Sequence, residues 1–340
     1  QGTLGVGANS TVDLRGRAGG DPASASTISG AGGDGGSFLL ADGTLTVDAT
    51  ADFNLQGGRG GGVGQPGVPG ITGAFTLAGG NADIQGTVNL KGVDANDEGE
   101  NLGGQDGGAL LMSGGVATIG GTIDLEGGSG DVGGDFNFLD GGNGGTFDLT
   151  GGDLTLQAAA FINLKGGAAQ DLEGINGTTI PGDGGMFTQS GSSTLTLEAG
   201  GIINLQGGPS TTGVKGKDGG VYSMLDGTAT LAGAINASGR PGAQENDAGA
   251  QQGSNGGLFA ISGGVATLTG AVQLNGKKGG LSQNGRGARG GDGGLVDITG
   301  GELIVDSVTS EIDLSFGLGG DGNDDGQPEP GSPGSAGSIT

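Results

Sequence analysis

Apolar residues recur along this chain in short alternating stretches separated by glycine, at an interval that barely changes. The apolar residue two places after each loop-closing glycine sets one register: Phe38, Phe75, Leu110, Phe147, Phe187, Tyr222, Phe259, Val296 and Ile339. Successive anchors lie 37, 35, 37, 40, 35, 37, 37 and 43 residues apart. A sustained period of this size marks stacked structural repeats rather than independent globular domains. A single repetitive unit over 1–340 is therefore expected. Its coils begin near residues 37, 74, 109, 146, 186, 221, 258 and 295, with incomplete coils at 1–36 and 337–340.

Each unit repeats three stretches. The first is short and apolar, as in Phe38-Leu39-Leu40 or Phe147-Asp148-Leu149. A glycine turn, Asp42-Gly43 or Gly151-Gly152, leads to the second, as in Thr44-Leu45-Thr46-Val47 or Thr194-Leu195-Thr196-Leu197. A corner leads to the third, as in Asp52-Phe53-Asn54-Leu55 or Phe161-Ile162-Asn163-Leu164. A polar loop then returns to the next unit, most often ending in Asp-Gly-Gly or Asn-Gly-Gly. Period-two alternation puts Leu45 with Val47, and Phe53 with Leu55, on one face of a strand. No segment keeps a helical period over ten residues, and glycine disfavours helix. The expected fold is all-β: a parallel β-solenoid with three short strands per coil, about 37 residues per repeat and about nine coils.

Equivalent strands stacked about 4.8 Å apart would bring like positions into columns. One column reads Leu45, Ala82, Ala117, Leu154, Leu195, Ala229, Ala266 and Leu303, and its neighbour Val47, Ile84, Ile119, Leu156, Leu197, Leu231, Leu268 and Val305. Mixing Ala with Leu lets layers interlock at interior density. The third strand adds a polar column, Asp13, Asn54, Asn89, Asp124, Asn163, Asn204, Asn236, Gln273 and Asp313, expected outside as a ladder bonded along the axis.

Composition alone would read as disorder, with 91 Gly and 9 Pro in 340 residues. The regular apolar spacing argues against that. The glycine-rich loops admit two arrangements, free excursions or extended segments packed on one another with glycine at the contacts, as in polyproline II bundles. Their similar lengths and shared endings favour the packed, polyglycine-II-like form. Aromatic residues are few, 10 Phe, 1 Tyr and no Trp, which suits a thin layered core.

Charge narrows the partners. The formal net charge is −25, from 37 acidic and 12 basic residues, so phosphate backbones are repelled and no nucleic-acid partner is expected. No apolar run approaches the length of a membrane span, and no membrane insertion is expected. The absence of cysteine and histidine removes disulfides, thiolate metal sites and the commonest general base.

Two acidic features are candidate calcium ligands. A row four residues before each anchor reads Asp34, Asp106, Asn143, Asp183, Asp218, Asn255 and Asp292, broken by Ile71 and Ser335. Asx before Gly-Gly suits a local turn in which the side chain bonds the backbone two residues on. Stacked carboxylates also repel unless neutralised, which invites calcium. The second is Asp321-Gly322-Asn323-Asp324-Asp325-Gly326, which resembles the first half of an EF-hand loop through Asp321, Asn323 and Asp325. Its twelfth position is Ser332, Pro328 and Pro330 interrupt it, and no helices flank it. The basic residues, among them Arg15, Arg59, Lys91, Lys165, Lys277 and Lys278, lie in loops or just after the third strand. There they would neutralise carboxylates. The acidic residues repeat with the coil, whereas an active site is a singular cluster, so no enzyme activity is expected.

The stretch Gly263-Gly264-Val265-Ala266-Thr267-Leu268-Thr269-Gly270-Ala271-Val272-Gln273-Leu274-Asn275-Gly276 resembles the glycine-rich parallel β-helix repeats of very large bacterial surface and secreted proteins, including adhesin- and autotransporter-like chains. The resemblance covers nearly the whole chain and implies an extracellular or cell-surface location. It carries over no functional residue. The loops also resemble the glycine tracts of polyglycine-II bundles, including some antifreeze proteins. Thr46, Thr118, Thr155, Thr196, Thr230 and Thr267 form only one column, interrupted by Asp83 and Ile304 and too narrow for an ice-binding face. Thr3-Leu4-Gly5-Val6 reads as a second strand and Gly337-Ser338-Ile339-Thr340 as a first strand, so the chain starts and stops mid-coil. The function expected is a structural extracellular fibre or surface protein that assembles with itself head to tail and laterally. The alternatives are an adhesin binding surface glycans or protein through its loops, an ice-binding protein, or a polysaccharide-active enzyme.

Overall fold

The computed structural model describes residues 2–20, 30–60, 68–95, 103–130, 140–169, 180–209, 216–242, 252–280, 287–306, 308–321 and 330–340. These residues form an all-β parallel solenoid. Every strand pairing among them is parallel, and each partner lies one coil away.

First strands open at Ser37, Ala74, Ala109, Thr146, Met186, Val221, Leu258, Leu295 and Ser338. The anchor column is continuous in register: Phe38 pairs with Phe75, Phe75 with Leu110, Phe147 with Phe187, Phe187 with Tyr222, and Tyr222 with Phe259. The second-strand columns align as well, Leu45 on Ala82, Leu195 on Ala229 and Ala266 on Leu303. The third strands make a separate nine-stranded sheet. The first and second strands are linked into one sixteen-stranded sheet. The cause lies in two coils, where Ala109–Ile119 and Thr146–Leu156 run through the turn as single strands and carry the ladder across it.

The turn between first and second strands needs a left-handed residue, and glycine supplies it. Gly43 has φ 99° and Gly264 φ 77°. The Asp42 carboxylate accepts from the Gly43 N–H at 2.7 Å and holds the turn.

The inward residues form one continuous core from Val6 to Val296. Phe53, Phe75, Phe147, Phe187, Tyr222 and Phe259 are fully buried. Burial of each is worth about 1.5–3 kcal/mol, and stacking adds to it. Phe147, Phe187, Tyr222 and Phe259 form a ladder with ring centroids 4.8, 5.5 and 4.9 Å apart. One inward position is polar. Gln189 is fully buried in the column of Leu149 and Met224. Its amide donates to the Thr228 carbonyl at 2.8 Å, and its carbonyl accepts from the Tyr222 hydroxyl at 3.3 Å.

The third side of the coil is built by the loops, which are packed and hydrogen-bonded where described. Outgoing segments bond outgoing segments of the next coil, as Gly92 N–H to Glu126 O at 2.8 Å and Gly127 N–H to Lys165 O at 2.9 Å. Returning segments do likewise, as Gly107 N–H to Asn143 O at 2.9 Å. A third set crosses between the two layers. Gly128 N–H donates to Gln105 O, Gly142 to Gly128, Gly167 to Gly142, Gly182 to Gly167 and Gly208 to Gly182, all at 2.7–3.0 Å. The loop glycines serve close approach, not positive φ. A Cβ on Gly142 would sit 1.9 Å from the Gln105 carbonyl oxygen, while the positive-φ glycines lie in the strand turns and corners.

Candidate functional site

Polar side chains gather where the third strand hands over to the outgoing loop, and again where the returning loop ends. At the first place the column Asp13 to Asp313 is in register strand by strand. Its members were expected outside as an axial ladder. The structure gives most of them a local turn instead. Asn89 Oδ1 accepts from Lys91 N–H at 3.0 Å, Asp124 from Glu126 at 3.1 Å, Asn236 from Ser238 at 3.2 Å and Asp313 from Ser315 at 2.9 Å. The ladder exists over one stretch, where Asn204 Nδ2 donates to Asn163 Oδ1 and Asn163 Nδ2 to Asp124 Oδ1, each at 3.0 Å. Asn163 and Asn204 are buried there, because Glu126 reaches over Asn163 at 3.0 Å and Lys165 closes on Glu126 at 2.7 Å. Burial pushes the Asp124 carboxyl above the ordinary carboxylate range, and the nearby Glu126 charge acts in the same direction.

The loop-end row shows the converse. It was expected to make turns within its own coil, and it bonds across coils. Asp34 Oδ1 accepts from Ile71 N–H at 2.9 Å, Asp106 from Asn143 at 2.6 Å, Asn143 from Asp183 at 2.9 Å, Asp218 from Asn255 at 2.8 Å, Asn255 from Asp292 at 2.9 Å and Asp292 from Ser335 at 2.6 Å. The extended returning segments present each N–H to the coil before, so the side chain satisfies its neighbour's backbone rather than its own. Sequence spacing alone cannot distinguish these two uses of Asx.

This arrangement also gives the row's carboxylates partners of their own. The row's carboxylates are spread along the axis, interleaved with Asn143 and Asn255, and those of Asp34, Asp106, Asp218 and Asp292 accept from backbone amides. Lys217 lies 3.2 Å from Asp183 and Arg289 pairs with Asp292. The Ser335 amide, with Arg289, holds the Asp292 carboxyl below its usual range. Among the described residues no three acidic side chains gather into a group that could hold a metal ion. Asp321 is paired with Lys278 at 2.9 Å. Asn323 and Asp325 lie outside the described residues.

The basic residues neutralise carboxylates at several points, as Lys91 with Asp94 at 3.2 Å and Arg15 with Asp13 at 2.8 Å. Paired with Arg15, the Asp13 carboxyl is held down at about 2. Lys277 makes no ion pair with a described residue, and burial lowers its ammonium pKa while the Asp313 charge opposes the shift. Sequence reasoning passed over Arg17. With Arg15 and Arg59 it lines a surface depression of about 640 Å³ across the outgoing segments of neighbouring coils. Composition offered no signal for it: the first 60 positions hold three of the chain's 12 basic residues beside six acidic ones.

The class defined by this architecture is the glycine-rich parallel β-solenoid. The chain matches no protein-family model, and no curated protein or solved structure matches it.

Proposed function

We propose that this chain is a rigid structural rod, part of an extracellular or cell-surface fibre whose units continue end to end. The observation that carries this reading is the interlocked loop layer. In an ordinary solenoid the loops are appendages. Here the cross-layer run from Gln105 to Gly208 joins each loop to the next and the two segments within a loop, so the loops brace the rod in addition to the sheets.

End-to-end continuation is supported by the outermost coils. The inward columns are closed in the middle, with Val47 and Leu268 fully buried, and open at the extremes, where Val305 is 54% exposed and Leu4 is 40% exposed. Parallel edge strands with an uncovered core recruit a further strand of the same kind. A further coil, of the same chain or of a second copy, would supply one.

Negative-stain electron microscopy of the purified chain, with and without calcium, tests the proposal. The expected result is straight filaments built from rods roughly 40 Å long, nine strands at the inter-strand spacing. Short monodisperse rods in both conditions would overturn end-to-end assembly, and flexible particles would overturn the rod itself. Filaments that form only with calcium would give the loop-end carboxylates a binding role.

A further inference from the structure

We propose that the depression lined by Arg15, Arg17 and Arg59 binds an acidic polysaccharide, its carboxylate or sulfate groups held by the guanidinium forks of Arg17 and Arg59. The inference does not depend on the rod assembling.

The charges in this depression are unequally committed. Arg15 donates twice to the Asp13 carboxylate, at 2.8 Å through Nε and 2.8 Å through NH2, and is spent there. Asp94 on the far side is also engaged, 3.2 Å from Lys91 and accepting from Ser129 N–H at 2.7 Å. Arg17 and Arg59 make no ion pair with any described residue, and both are exposed. Their backbones run side by side in the loop layer: Gly19 N–H donates to Arg59 O at 2.7 Å, and a Cβ on Gly58 would sit 2.0 Å from Arg17 O. Two guanidinium groups with no ion pair to a described residue thus stand on adjacent segments lining one depression.

The surroundings select the ligand. Guanidinium forks match carboxylate and sulfate oxygens in pairs of hydrogen bonds. Gly57, Gly58 and Gly92 also line the depression and add no side chain that would fill it. Gln56 and Asp94 add acceptors for hydroxyl donors, which a simple inorganic anion would leave unused. The chain's net charge of −25 repels polyanions in general. Screening over about 8 Å at physiological salt keeps that repulsion local, so a patch with two arginines unpaired among the described residues acts on its own terms.

Calorimetric titration of the whole chain with an oligogalacturonate, a sulfated oligosaccharide and a neutral dextran oligosaccharide of equal length tests the proposal. Binding of the uronate or the sulfated chain, or both, with none of the neutral chain, is expected, and the pattern identifies the anion. The Arg17→Ala/Arg59→Ala variant should weaken that binding on the order of tenfold or more, as loss of charge-assisted hydrogen bonds does. The Arg17→Lys/Arg59→Lys variant keeps the charge and loses the forks, and its affinity should fall between the two. Circular dichroism of each variant, unchanged from the parent, excludes misfolding as the cause. Failure of both acidic chains to bind, or equal affinity in parent and alanine variant, would overturn the proposal.

Discussion

Glycine at a given position in this chain serves one of two separate purposes, and they predict different responses to a single methyl group. At Gly142 the backbone passes so close to the previous returning segment that an alanine Cβ would lie 1.9 Å from the Gln105 carbonyl oxygen and 2.3 Å from its carbon. Both clashing atoms are backbone, held by the cross-layer hydrogen bonds, so neither can move aside cheaply. Gly142→Ala is expected to cost about 2–3 kcal/mol, in the range of overpacked cores. At Gly5 nothing lies within 4 Å of an added Cβ, and φ is not positive. Gly5→Ala is expected to be neutral or slightly stabilising, since it removes backbone freedom from the unfolded chain. Thermal unfolding followed by circular dichroism compares the two. Equal effects would mean that the loop contacts contribute nothing to stability. The sequence supports this contrast only in part. It marks the glycines as dense, but density does not say whether a position needs left-handed φ, as Gly43 does, or an absent side chain, as Gly142 does. The polar Asx positions carry the same ambiguity. Asp106 and Asn89 both precede backbone they could cap, and only the course of the neighbouring coil decides that one bonds across and the other within.

Strands were the most legible elements, because inward positions are read twice, by alternation along the strand and by recurrence at the coil period. Phe147, Leu154, Leu156 and Ile162 satisfy both tests and are buried. The one departure in the aromatic ladder's sheet is Gln189, a polar residue in a column of Leu149, Met224 and Ile261. Its presence is tied to Tyr222, the only tyrosine in the chain. Each group supplies the other's partner in a site without water access, and burial raises the Tyr222 hydroxyl well above its usual pKa, keeping it a neutral donor. Tyr222→Phe should therefore cost about 1–2 kcal/mol by stranding the Gln189 carbonyl. Gln189→Leu should cost a similar amount by stranding the tyrosine hydroxyl. The double variant restores a wholly apolar column and should lose less than the two single changes added together. Chemical denaturation of the four proteins gives the coupling. Additive losses would show that the pair does not act as a unit.

At the scale of the whole molecule, the parallel solenoid was recoverable from one sequence because a repeat supplies its own comparison: each coil tests the register assigned to the others. The loop layer was harder to read, since its order lies in backbone contacts that carry no side-chain signature. The proposed rod depends most on that layer, so its local stability is the quantity to measure. The amides of Gly128, Gly142, Gly167, Gly182 and Gly208 form a run of donors in which each bonds the segment across from it. The bonds of Gly128, Gly167 and Gly208 join successive loops and those of Gly142 and Gly182 join the two segments of one loop, so the run is expected to open in the same cooperative unit as the strands. Hydrogen exchange across this run should be as slow as in the adjoining strands Thr146–Leu156 and Thr194–Leu197, and slower than in the outermost coil at Glu302–Val305. If the loop amides instead exchange at the rate of an open chain while the strands stay protected, the stiffness lies in the sheets alone. The chain would then be an ordinary solenoid carrying loose loops, and the loop bracing that sets it apart as a rod would be lost.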